Sequence, residues 1–486
     1  MDRSTFMEFD RANFLGKGKL FAYRRVYEAF RDAVRAGQLA AGQKVPSSRE
    51  LAARWSVARI TVTQAYEQLV AEGYLETRRG AGTFVAGELP DGFFRAESVG
   101  GIGSDGAEVC RVEGQRYLEQ PAFLSGCADL EAFPMELWLK LYAKQLRGSA
   151  YSLNNYGHGE GGYLGLREAI AGHLRTQRGV CCEAGQILIL SGSQPGIELV
   201  ARALVKSGDR VAVENPSYRG IVDSFRLNGA EVCGVSVDGQ GLVVDELRGM
   251  RKAPRVVVAT PVRQFPLGVA MPVGRQVELL EWARETGAWI LEDDYDSEFR
   301  FRGKPLPAMQ GLASSERILY LGTFTRSLFP DLRIGYLVVP KAVYPDFLTL
   351  WKTGAMNPPV AMQATLAEFM RECHYQRHVR KMRKLYAKRC KWLAERVEAE
   401  LGKWIEVGLT DGGMHFVGYF RKAVDVEWLA AEGRKRGCVF MPISSYAVPG
   451  AGGVERDGLM FGFSSFGEEK MLEGVRVLKE VLEGMG

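Results

Sequence analysis

Five short runs, apolar almost throughout, constrain this chain more than any other feature. They are Gln186-Ile187-Leu188-Ile189-Leu190-Ser191, Arg210-Val211-Ala212-Val213-Glu214, Arg255-Val256-Val257-Val258-Ala259-Thr260, Trp289-Ile290-Leu291-Glu292-Asp293-Asp294 and Ile318-Leu319-Tyr320-Leu321-Gly322. A strand that is apolar on both faces must be covered on both, and helical patterns separate the runs, so the expectation is a parallel sheet inside an α/β domain. The chain around them has 486 residues, 46% hydrophobic and 25% charged. That exceeds one core, predicts about two to four domains, and excludes a disordered or fibrous chain. No apolar run approaches the ~18 residues of a membrane span, and Met1-Asp2-Arg3-Ser4-Thr5-Phe6 carries no signal-like stretch, so a cytoplasmic protein without membrane contact is expected.

Eight cysteines are scattered without a Cys-x-x-Cys pair, which points to reduced thiols rather than a disulfide or zinc framework. His374 and His378 share a helix face at i, i+4, yet no Glu follows the first, so both read as surface or packing residues and no metal site is expected.

Net charge is informative only by position. Residues 1–86 hold 14 Lys+Arg against 9 Asp+Glu, and the remaining 400 residues balance 49 against 49, so the whole excess of +5 lies at the N-terminus. An anionic partner for that end follows. There, Tyr23 to Ala36 is helical and stops at Gly37; Pro46-Ser47-Ser48-Arg49-Glu50-Leu51 opens a second helix; Ala58 to Glu72 forms a third, with Ile60, Val62, Tyr66, Leu69 and Val70 expected toward a core. Gly73 to Val85 then alternates strand formers around a glycine turn. This outlines a winged helix-turn-helix for double-stranded DNA, an operator. Arg59, Thr61 and Thr63 are expected on the recognition helix, Arg49 in support and Arg78 or Arg79 on the wing, with Arg49 and Arg59 able to grip guanine bidentately.

The segments Val45-Pro46-Ser47-Ser48-Arg49-Glu50-Leu51-Ala52, Val57-Ala58-Arg59-Ile60-Thr61-Val62 and Gly80-Ala81-Gly82-Thr83-Phe84-Val85 resemble the GntR family over the whole module, with Ala58 where that family usually has Ser. The expected layout is an N-terminal arm (1–19), the winged helix-turn-helix (20–86), a Gly/Glu/Ser-rich linker (87–120) and an α/β body (121–486). From Ala361 to about Lys403 one long helix is expected, with Arg377, Arg380, Lys381, Arg383, Lys384, Lys388, Arg389 and Lys391 as a solvated face.

In the body, chemistry-bearing groups gather after the strands, where α/β sheets place ligands. Ser191-Gly192-Ser193-Gln194-Pro195-Gly196 suits a phosphate on backbone N–H groups; Glu214-Asn215-Pro216-Ser217-Tyr218 supplies an aromatic ring; Glu292-Asp293-Asp294-Tyr295-Asp296 supplies carboxylates; Gly322 to Pro330 with Arg333 adds hydroxyls and cations. With Tyr156-Gly157, Gly162-Tyr163-Leu164-Gly165-Leu166-Arg167, Gln264-Phe265-Pro266-Leu267-Gly268 and Leu332-Arg333-Ile334-Gly335-Tyr336, the body resembles the aminotransferase class I/II domain of MocR-type regulators. That resemblance implies the fold of PLP-dependent transferases of fold type I: a parallel-sheet core with a smaller C-terminal α+β subdomain.

It also implies a pyridoxal 5'-phosphate site: Asp293 at the pyridine nitrogen, Tyr295 at the ring hydroxyl, Tyr218 stacking, and Ser193, Thr323 and Arg333 at the phosphate, with Gln194, Thr325 and Arg326 completing the set. Two departures stand out. The family has a Schiff-base lysine at position 326 and usually His at position 263; here both are arginine. A Schiff base needs a neutral amine, and arginine stays protonated. No catalytic residue is therefore expected, and any cofactor is held non-covalently. The reading is a homodimeric transcription regulator sensing an effector of unknown identity; the alternatives are a PLP-dependent aminotransferase with a DNA-binding appendage, or a regulator of a different anionic ligand.

Overall fold

The computed structural model describes residues 22–87, 121–148, 160–303, 306–312, 317–408 and 411–485. They divide into two compact units near residue 115. The expected arm, nearly all of the linker, and Tyr156-Gly157 lie outside the described residues.

In the N-terminal unit, α1 (Ala22–Arg35), α2 (Ser48–Trp55) and α3 (Arg59–Ala71) precede a hairpin of β1 (Leu75–Arg78) and β2 (Gly82–Val85). Ser47 caps α2 by accepting from Glu50 N at 3.3 Å, and Ser56, at φ 56°, turns the chain toward α3. The three helices close on one core in which the Phe30 ring meets Tyr66 edge-on at 5.3 Å and Trp55 at 5.9 Å. Two residues expected inside are outside: Ile60 is 63% exposed and Val70 37% exposed. The buried stripe of α3 is Val62, Ala65, Tyr66 and Leu69. At 3.6 residues per turn Ile60 lies about 200° round the helix from Val62, too far to share that stripe.

The body is built on an eight-stranded sheet in the order β3-β10-β9-β8-β7-β4-β5-β6. Its strands are β3 (Ile187–Leu190), β4 (Arg210–Asn215), β5 (Glu231–Asp238), β6 (Gly241–Leu242), β7 (Val256–Ala259), β8 (Trp289–Asp294), β9 (Ile318–Thr323) and β10 (Gly335–Val338). All five runs named above are strands, and β3, β7 and β8 are buried along their whole length. The sheet is not wholly parallel as expected: β10 runs antiparallel to both β3 and β9, and β6 to β5. The apolar pattern reports burial and is blind to strand direction.

The smaller C-terminal subdomain is an antiparallel sheet, β11 (Ile405–Val407), β12 (His415–Phe420), β14 (Gly458–Gly462) and β13 (Met441–Pro442) in that order, with the helices His374–Leu401 and Glu468–Glu483 packed in the same core. The single helix expected from Ala361 to Lys403 is two helices, Val360–Arg371 and His374–Leu401, separated where Cys373 takes φ 60°. No Gly or Pro announces this break, so packing imposes it. Of the expected solvated face, Arg383 instead donates to Glu298 O at 2.8 and 3.0 Å, and Arg389 pairs with Asp129 at 2.7 Å. His378 is buried, with Nε2 3.1 Å from Ser327 O. Among the described residues there is no His/Cys/Asp/Glu cluster fit for a metal, every cysteine is free, and no helix is long and apolar enough to cross a membrane.

Candidate functional site

Two faces carry chemistry, one on each unit. On the N-terminal unit, α3 begins at Arg59, whose Nε donates to Ser48 Oγ at 3.4 Å and so leans on the start of α2. Arg49 and Arg59 are exposed; Thr61 and Thr63 are half-buried, and the Thr63 hydroxyl donates back to Arg59 O at 3.1 Å. Ala58 is the N-cap residue and supplies no side-chain cap, so the first N–H groups of α3 lack that acceptor. The wing arginines differ. Arg78 is held by Glu76 at 2.9 Å and lies 4.6 Å from the Phe84 ring, whereas Arg79 is exposed at the hairpin tip.

On the body, the carboxyl ends of β3, β4, β7, β8 and β9 carry the groups in question, the edge at which α/β sheets hold ligands. Ser193, Tyr218, Asp293, Tyr295 and Arg326 line a single cavity of about 120 Å³. Ser193 starts the helix Ser193–Leu204, capped by Gly192 at φ 108°. A side chain there would meet the Arg333 guanidinium at 3.7 Å, so the positive helix end and Arg333 face one spot. Thr325 N donates to Thr323 Oγ1 at 3.2 Å, forming the turn after β9. Gln194 is directed elsewhere: its Nε2 donates to Gly220 O at 3.0 Å and Ser224 Oγ at 2.8 Å. Tyr218, 40% exposed, stands edge-on to Phe265 at 6.1 Å.

Arg326 lies with its guanidinium carbon 4.7 Å from the Tyr295 ring centre and 5.9 Å from that of Phe265. Buried polar atoms are left without partners around it: Asp293 Oδ1, the Tyr295 hydroxyl, Thr325 Oγ1 and Arg326 Nη1. Buried polar groups are ordinarily satisfied, and three of these, on Asp293, Tyr295 and Arg326, line the one cavity, as a ligand-ready pocket would present. Burial pushes the Asp293 carboxyl up to about 7, against the pull of Arg326. Arg263 does not enter the cavity lining; it pairs with Asp296 at 3.4 Å and donates to His415 O at 2.6 Å. His415 is fully buried, its Nδ1 3.2 Å from Ser125 Oγ and its Nε2 2.9 Å from Pro266 O, and burial beside Arg263 depresses its pKa, keeping it neutral.

Sequence reasoning missed five cavity residues, Glu214, Ser217, Ile221, Thr260 and Phe265, of which two shape it most. Glu214 accepts from the Thr260 hydroxyl, from Thr260 N at 3.1 Å and from Gln264 Nε2 at 3.3 Å, and burial raises its pKa to about 7. Its signal was an acid ending an apolar strand. Phe265 meets Tyr218, Tyr295, His415 and Tyr446 edge-on and forms the aromatic wall; its signal was the Gln-Phe-Pro segment itself.

Known proteins agree with both units. Residues 22–85 match the family "Bacterial regulatory proteins, gntR family", and residues 129–454 match "Aminotransferase class I and II". The chain is 36% identical over 471 residues to the "Probable rhizopine catabolism regulatory protein MocR" of Rhizobium meliloti, covering 94% of this chain and 93% of that one. It is 33% identical over 486 residues to the "HTH-type transcriptional regulator TauR" of Rhodobacter capsulatus, covering 96% and 97%. In structure it is similar to LysN, an alpha-aminoadipate aminotransferase of Thermus thermophilus, with a TM-score of 0.69 and 26% identity over 75% of this chain and 92% of that one.

Proposed function

We propose, because this chain belongs to the HTH-type transcriptional regulators that join a gntR-family domain to an aminotransferase class I and II domain, that its body is a ligand sensor and dimerisation platform and performs no transamination. The observation that carries this reading is Arg326. Its guanidinium lies over Tyr295 at the position where the family resemblance expects an amine, and a guanidinium is not deprotonated in proteins.

The remaining groups fit pyridoxal phosphate, because the unpaired Asp293 Oδ1 and Tyr295 hydroxyl are an acceptor and a polar partner that its ring nitrogen and ring hydroxyl would satisfy. Asp293 would hold the ring N–H, Tyr295 the ring hydroxyl and Tyr218 the ring face. Ser193, Thr323 and Arg333 would hold the phosphate, with Thr325 N bracing Thr323 Oγ1; Gln194, engaged by Gly220 and Ser224, takes no part. When bound, the cofactor supplies an aldehyde and an electron-withdrawing ring. Without an amine at position 326 the chain holds it by hydrogen bonds and charge alone. Calorimetry with pyridoxal phosphate is expected to show reversible binding, and a coupled assay with amino-acid and keto-acid pairs is expected to show no turnover above the blank. Turnover above it overturns the reading in favour of an active aminotransferase.

DNA recognition falls to α3 and the wing. Arg59→Ala is expected to weaken specific operator binding and relax base preference by ~1–3 kcal/mol, while Arg79→Ala weakens specific and non-specific binding alike. Titration against the promoter region of the protein's own gene checks both, and wild-type affinity for Arg59→Ala removes α3 from the recognition role. A winged helix that reads half-sites gains from duplication, and closed two-fold dimers are the commonest assembly. The full chain and a chain lacking residues 1–86 are both expected to be dimers in light scattering; a monomeric truncation contradicts dimerisation through the body.

A further inference from the structure

We infer that the body's cavity selects a phosphorylated pyridine whose substituent beside Arg326 ends in a carboxylate, and that Arg326 reads that carboxylate. The inference rests on the reading of the body as a pyridoxal-phosphate-like site and names its ligand class more narrowly. The first support is the state of Arg326. A guanidinium carries five donors in a planar fork that matches a carboxylate. Among the described residues no carboxylate forms an ion pair with it, and its Nη1 is buried without a partner. Glu214 is engaged by Thr260 and Gln264 and Asp296 by Arg263 at 3.4 Å, while Asp293, in the same cavity, feels the charge of Arg326 without forming an ion pair with it. A buried guanidinium N–H with no hydrogen-bonded or ion-paired partner is costly, and the cavity Arg326 lines is the place from which one can arrive.

The second support is that this cation is separate from the phosphate-holding one. Arg333 faces Gly192 at the start of the helix Ser193–Leu204, whereas Arg326 lies against Tyr295, Phe265 and Gly126. Gly126, at φ 88°, lets the chain pass close enough that a side chain there would stand 3.0 Å from Arg326 Nη1, so the backbone packs against the guanidinium. In the cavity that Arg326 lines, Asp293, 8% exposed, presents its unpartnered Oδ1. A matching ligand carries two anionic groups on neighbouring ring positions, one for each cation, and a ring N–H on the opposite side for Asp293. A free aldehyde leaves Arg326 unpaired, and an amine at that place is repelled by it.

The test is equilibrium binding of four probes to the full-length protein: pyridoxal 5'-phosphate, pyridoxamine 5'-phosphate, N-(5'-phosphopyridoxyl)-L-alanine and 4-pyridoxic acid 5'-phosphate. At least one of the last two is expected to bind tenfold or more tightly than pyridoxamine 5'-phosphate. Preference for the alanine compound places the carboxylate on a condensed amino acid, and preference for the pyridoxic acid places it on the ring. In Arg326→Gln the preference is expected to fall below threefold, while Asp293→Asn weakens every probe together. Equal affinity of the wild type for all four overturns the carboxylate inference alone. No binding of any of them overturns the phosphopyridine reading of the site as well.

Discussion

Arg326→Lys is expected to give the protein a covalently held cofactor that the wild type lacks. With pyridoxal phosphate added, the variant should show a protein-bound visible chromophore that borohydride fixes irreversibly, and dialysis should strip the wild type while leaving the variant coloured. The reason is the amine alone: lysine lowers its pKa when enclosed and becomes nucleophilic, which arginine does not. The ring-facing groups Asp293 and Tyr295 already stand unpaired in the same cavity. Arg263 does not line the cavity and is paired with Asp296 and the carbonyl of His415, although its charge reaches Tyr295. A borohydride-fixed chromophore in the wild-type protein would mean that another amine serves and would refute the argument from Arg326.

Phe30→Ala is expected to unfold the N-terminal unit and abolish DNA binding while leaving the body folded. Phe30 has no exposed surface and bridges α1 to Trp55 of α2 and Tyr66 of α3. Truncating a buried Phe costs about 3–5 kcal/mol. A domain of this size has only about 3–10 kcal/mol in total, at 0.05–0.15 kcal/mol per residue. Calorimetry should show loss of the transition belonging to this unit with the body's transition unmoved, and gel shift should show no complex. A Phe30→Leu variant keeps most of the buried area and is expected to retain binding. Full DNA affinity in Phe30→Ala would show that the three helices do not depend on this contact.

The hairpin of the wing was legible because Gly80 and Gly82 sit between strand-forming residues, and α2 because Ser47 stands where an N-cap is needed. Ile60 is exposed, against expectation, for a definite reason. An apolar residue near a buried stripe looks the same in sequence whether it falls on the stripe or on the opposite side, and only the packed orientation of α3 put Ile60 in solvent. Glu214 and Phe265 are plain in the sequence, but their roles come from Thr260, Gln264, Tyr295 and Tyr446, which no local pattern links to them.

By itself the sequence determined the two-unit organisation, the five buried strands, the charge excess at the DNA-reading end and the absence of an amine at position 326. Each is a local property: apolar periodicity, cap chemistry or the identity of one side chain fixes it without reference to distant residues. Only the tertiary structure decided that β10 runs against its neighbours, that Cys373 interrupts the long helix, and that Gly126, Ser193, Asp293 and Arg326 meet across 200 positions of chain. These depend on which surfaces pack together, and packing is set by shape and burial summed over the whole body. The unpaired acceptor of Asp293 beside an unpaired guanidinium is of that kind, since a side chain lacks a partner only with respect to everything folded around it.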